Sequence, residues 1–179
     1  MLQSKKVLIY EIVGTLFIVF LGSALHFTYE LSDKLVIVGA LSAVNESVWE
    51  HLKLAFWPSL IWLLIEYLPL KKLTNNFLMS KALGSYLMVI LIPIVFYSYT
   101  SITGGSIFAI DITTFIVAVV LGQFLSYNLF KKNQFSRMAD KVALVMLVVL
   151  GISFTVFTFY PPHLPIFQDP ISRGYGIAL

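Results

Sequence analysis

Five stretches of this chain are each apolar enough and long enough to cross a bilayer: residues 7–29, 48–70, 82–100, 108–130 and 142–160. A helix rises about 1.5 Å per residue, so about 20 apolar residues cover the hydrocarbon. In that medium every backbone N–H and C=O must find a partner within the protein, which leaves helices or a closed barrel. Runs of this length suit helices. The pattern predicts an all-α integral membrane protein, a bundle of about five transmembrane helices forming a single transmembrane domain over residues 1–179. Composition agrees. The chain is 59% hydrophobic and 12% charged, where a soluble domain carries roughly 25% charge.

Residues 35–44, between the first two spans, are strongly apolar but too short to cross. They are expected to form a re-entrant or interfacial segment. The apolar run from residue 7 to about 25 exceeds the roughly 7–15 residues of a leader's apolar region. It reads as a retained first helix.

Basic residues set the expected orientation. Nine of the 12 Lys and Arg fall before the first span, between the second and third, or between the fourth and fifth. They are Lys5, Lys6, Lys71, Lys72, Lys81, Lys131, Lys132, Arg137 and Lys141. Positive residues favour the cytoplasm, so the N-terminus is expected inside the plasma membrane and the C-terminus outside. The same rule accounts for the pI near 9.1 and removes nucleic acid as a partner. Membrane lipids are the expected surroundings. A bundle this thin leaves a second copy, giving a homodimer, as a candidate partner. Zero cysteines exclude disulfides and thiolate chemistry. No internal repeat is evident, which does not support an inverted-repeat transporter. Trp49 and Tyr97 to Tyr99 fit an aromatic belt.

Charge near membrane depth is costly and marks candidate sites. All three histidines, His26, His51 and His163, are expected at the outer face. Six of the nine acids join them: Glu30, Asp33, Glu46, Glu50, Asp111 and Asp169. His26 and Glu30 are four apart and share one helix face, as do Glu46 and Glu50. The first two spans are joined by a short connection and are expected to be neighbours. Histidines and carboxylates from facing helices build metal sites in bundles, and this set suits zinc or another divalent metal. The candidate ligands are His26, Glu30, His51, His163 and Asp169, with Glu46 or Glu50 as acid/base. Asn45, Lys53 and Asp111 are further polar groups of that face. The proline-rich tail, residues 161–179, is expected to fold over it.

A plainer reading uses the same residues. Ser47 and Glu50 fit a capping box, with Asn45 as an alternative cap, and Glu50 and Lys53 a helical pair. Near the opposite end, Glu66 is expected to reach the interface or to pair with Lys71 or Lys72. Glu11 is expected to pair with Lys5 or Lys6, or to face Glu66.

The stretches Leu25-His26-Phe27-Thr28-Tyr29-Glu30 and Val44-Asn45-Glu46-Ser47-Val48-Trp49-Glu50-His51-Leu52-Lys53, with Phe56-Trp57-Pro58, resemble a family. It comprises small prokaryotic multi-span membrane proteins known only as a domain of unknown function. The tail residues Phe167-Gln168-Asp169-Pro170 and Tyr175-Gly176-Ile177 are similar to its C-terminal end. The resemblance implies a match over most of the chain and brings no established activity. A fainter local likeness is to the progestin and adiponectin receptor superfamily, which implies a membrane zinc site. The Glu46-to-His51 spacing differs from that pattern, and five spans stand where those receptors have seven. Three functions follow: a metal-dependent membrane hydrolase acting on lipid or lipid-linked substrates, a small transporter or ion-binding subunit, and a structural, partner-binding membrane protein.

Overall fold

A computed structural model describes residues 2–177. Its elements are α1 (Leu2–Leu31), α2 (Val36–Gly39), α3 (Val48–Leu70), α4 (Phe77–Thr103), α5 (Phe108–Phe130) and α6 (Arg137–Phe159), followed by a 3-10 turn at Pro165–Phe167. Five of the helices are long and apolar enough to cross a membrane. Exposed Leu, Ile, Val and Phe side chains cover their outward faces, as a bundle solvated by lipid requires. The chain is an all-α, multi-span membrane bundle.

Helix α3 is the central element. It packs against α1, α4, α6 and the 3-10 turn, and 56% of its most apolar window lies inside the protein against 28–39% for the other four. Two buried apolar clusters surround it. One joins Leu52, Phe56 and Leu63 to Val89, Leu147, Leu150 and Phe154. The other joins Ala55 and Trp62 to Ile18, Met88, Ala118 and Val119.

Segment 35–44 does not enter the bundle. It makes the single turn α2 and then irregular chain, with Leu35, Val36, Ile37 and Leu41 exposed. Gly39, Ser42 and Ala43 of the same segment are buried against the bundle. Trp49 lies under the tail. Its ring packs on Phe154 and Phe167, each at 4.8 Å between centroids, and on Phe157 at 5.5 Å.

Lys81 is the largest departure from the charge pattern. It lies one turn inside α4 and is buried, not in the connecting loop. Helix α4 accordingly starts at Phe77, five residues before the expected span. The helix start is drawn in because Lys81 pairs with Glu11 of α1 and Glu66 of α3. Glu66 therefore turns inward, away from Lys71 and Lys72. The neighbouring loops are tied by Asn76. Its amide donates to the carbonyls of Leu129, Lys132 and Asn133, and its oxygen accepts from the Phe135 N–H.

Helices α4 and α5 meet backbone to backbone at Gly84 and Gly122. A Cβ on Gly84 would collide with Ser126 Oγ, and would lie 2.7 Å from the Gly122 carbonyl oxygen. Small residues permit such backbone contact between membrane helices. Gly84→Val is expected to destabilise the bundle by about 1–3 kcal/mol through overpacking. A lowered thermal midpoint in detergent checks this. Gly105→Ala is the control, since its Cβ meets nothing within 4 Å.

Candidate functional site

The site begins with the entry into α3. Asn45 Oδ1 accepts from the Ser47 N–H at 2.9 Å, an Asx turn that reverses the chain. Ser47 is the N-cap, its hydroxyl accepting from the Glu50 N–H. The capping box is only half formed, because the Glu50 carboxylate turns elsewhere. This turn leaves Glu46 on the loop just ahead of α3 and His51 in the first helical turn. Helix α1 runs antiparallel beside them and brings His26 to the same level.

Three ligand atoms converge there. His26 Nε2 and His51 Nε2 are 3.1 Å apart. Glu46 Oε2 lies 3.8 Å from the first and 3.4 Å from the second. The group is suited to holding a metal ion. Bonds of about 2.0–2.1 Å in tetrahedral geometry put ligand atoms about 3.3–3.4 Å apart. The three observed edges bracket that value. His51 Nδ1 lies 2.8 Å from the Ser47 carbonyl. A carbonyl only accepts, so Nδ1 carries a proton; the charged ring donates from Nε2 to Glu46, and the neutral ring would present a lone pair at Nε2. Hydrogen bonds from His26 and His51 hold the Glu46 carboxyl well below the ordinary carboxylate range. The side chains are 29%, 44% and 33% exposed for His26, Glu46 and His51, so the cluster is reachable from outside the bundle.

The other expected residues stand apart from this triad. Glu30 is exposed and pairs with Lys34 at 3.7 Å. His163 is exposed and lies over Tyr175, 4.6 Å between ring centroids. Asp111 accepts from the Tyr99 hydroxyl at 2.5 Å, joining α5 to the end of α4. Asp169 accepts from the N–H groups of Ile171 and Ser172 and from the Ser172 hydroxyl. Burial pushes its carboxyl up, but these bonds outweigh it and hold the group below the usual range. The residue closes a turn of the tail.

Glu50 and Lys53 form a second, fully buried group behind the triad. Lys53 Nζ donates to the Gly39 carbonyl at 2.7 Å, to Thr158 Oγ1 at 2.8 Å and to Glu50 Oε2 at 2.5 Å. Glu50 also accepts from the Val44 N–H and the Thr158 hydroxyl. Its carboxylate is therefore engaged on both oxygens. The sequence reading missed Thr158 and Gly39, which carry no charge and give no periodic signal. Asn45 Nδ2 donates to the Gly176 carbonyl at 3.0 Å, and the Ile177 N–H donates to the Thr158 carbonyl. These bonds fasten the tail across the same end; Ala178 and Leu179 lie outside the described residues.

The model of a family of unknown function, DUF6512, matches residues 1–177, and the chain belongs to that family. The match does not show the local likeness to the progestin and adiponectin receptors. No curated protein and no solved structure matches the chain.

Two outcomes follow from these bonds. Lys53→Met leaves Glu50 buried without its counter-ion and is expected to cost about 3–5 kcal/mol, read as a lowered unfolding midpoint in detergent. Asp169 has a depressed folded value, so its stabilisation is complete above the unfolded value of about 3.9 and is lost as pH falls through the folded one. Amide-exchange protection of Ile171 and Ser172 is expected to be higher in wild type than in Asp169→Asn at neutral pH. The difference should close in acid.

Proposed function

We propose that this protein binds one divalent metal ion, zinc by its donor set, through His26, Glu46 and His51, and that the ion activates water to hydrolyse a lipid or lipid-linked substrate. The observation that carries the reading is the convergence of two imidazole nitrogens and one carboxylate oxygen on a single point at near-tetrahedral spacing. Structural zinc sites are closed by four protein ligands, whereas hydrolytic ones use three and leave a fourth position for water. The triad has three, is partly exposed, and sits on a protein whose surroundings are lipid. A bound zinc lowers the pKa of its water to about 7.

Glu46 serves here as a ligand rather than as the acid/base. Glu50 is occupied by Lys53 and Thr158. A zinc held by His26, Glu46 and His51 would supply an activated water without a separate protein base, and the exposed apolar residues Leu35, Val36 and Ile37 between α1 and α3 are candidates for contact with an acyl chain. Positive residues favour the cytoplasm, so this end is proposed as the outer one. A conduction pathway fits less well. At the depth between the His end and Glu11 and Glu66 lie the buried side chains of Ile18, Ala55, Met88, Ala118 and Val119.

Metal content of detergent-purified protein tests the reading. Wild type is expected to carry about one zinc per chain, with loss in His26→Ala, His51→Ala and Glu46→Gln and retention in His163→Ala. The ligand imidazoles must be neutral, so the metal is expected to leave as pH is lowered from about 7.5 to 5.5. Absence of metal from wild type after incubation with zinc would overturn the site. Zinc binding without any metal-dependent release of product from lipid esters or lipid-linked phosphates would overturn the hydrolytic half alone.

A further inference from the structure

The opposite end of the bundle buries a second charged group whose charges do not balance. Glu11 of α1, Glu66 of α3 and Lys81 of α4 meet there, only 0–4% exposed as side chains. Lys81 Nζ donates to Glu11 Oε1 at 2.7 Å and contacts Glu66 Oε1. Helix α5 brings Gln123, a neutral group, whose Oε1 accepts from Lys81 at 3.3 Å. The Phe130 ring lies 5.5 Å from the ammonium, and Tyr10 packs against Trp62. The group thus holds two carboxyls and one ammonium.

Two carboxylates around one ammonium leave a net negative charge away from water, which is costly by several kcal/mol. Like charges sharing a site cannot both ionise readily. The polar atoms point the same way. Glu11 Oε2 and Glu66 Oε2 are buried without a hydrogen-bond partner. A carboxyl with a free oxygen beside another has room for exactly the missing charge in its smallest form.

We infer that Glu11 and Glu66 hold one exchangeable proton between them, so that this end of the bundle is a membrane-embedded proton-binding site clamped by four helices. The proton brings the group to neutrality with Lys81. Separating Lys81 from the two acids would draw in a second proton, and losing the bound proton would leave the acids repelling each other across α1 and α3. Proton occupancy is therefore linked to how α1, α3 and α4 sit together. The inference is independent of the metal reading, since none of its residues belongs to the triad.

Infrared spectroscopy of the purified, detergent-solubilised full chain tests it. At neutral pH wild type is expected to show the carbonyl stretch of one protonated carboxyl per chain, shifted in D2O. Glu11→Gln and Glu66→Gln each leave one acid opposite Lys81, which then ionises. Each substitution alone is expected to abolish the band. Both replace a carboxyl by an amide of the same shape, and unchanged helicity confirms that they fold. A band surviving either substitution would overturn the inference. So would its absence from wild type, a measurement that needs no variant.

Discussion

An ammonium group in a place without water must be surrounded by acceptors, and Lys53 is. Its three N–H bonds go to the Gly39 carbonyl of α2, the Thr158 hydroxyl of α6 and the Glu50 carboxylate of its own helix. A buried ion pair gains little net stability by itself, yet breaking it is expensive. Its effect is to fix geometry. It holds the segment before α3 against the end of α6, and that segment carries Glu46. The tail then closes over the same group, through Asn45 to Gly176 and Ile177 to Thr158. The convergence of Glu46 and His51 on His26 rests on this anchoring.

Helix α3 carries charged groups at both ends and an apolar middle. Glu50 and Lys53 occupy one end and Glu66 the other. Between them Ala55, Phe56 and Leu63 are buried against neighbouring helices. The two ends solve the same problem differently. Near the histidines one carboxylate faces one ammonium, with all three ammonium protons and both carboxylate oxygens engaged. At the other end a second carboxyl is added with no second cation, and a proton is the smallest charge that restores balance.

The division of roles among the acids follows from where each side chain is held. Glu46 is on a loop and is free to face the histidines. Glu50 is on the buried side of the first turn of α3 and is consumed by Lys53. Asp169 is consumed by its own turn. Glu30 continues past the last packed turn of α1 and meets only Lys34. Carboxylates that look equivalent in sequence thus divide into one that faces the histidines and several held by other partners.

Bilayer-length apolar runs are a property of the chain itself, because hydrocarbon leaves the backbone no partner except its own helix. The sequence therefore determined the helical class, the five long helices and the short apolar segment between the first two. It also placed His26, Glu46 and His51 at one end, since helix connectivity alone brings the end of α1 beside the start of α3. Pairing across the bundle was decided only by tertiary structure. Lys81 looked like a loop residue and is buried, because two acids from other helices balance it. Thr158, Gly39 and Asn76 gave no signal, because a neutral residue acquires its role only when a distant charge or backbone group arrives beside it. Which acid was left facing the histidines depended in the same way on the partners that packing supplied to each of the others.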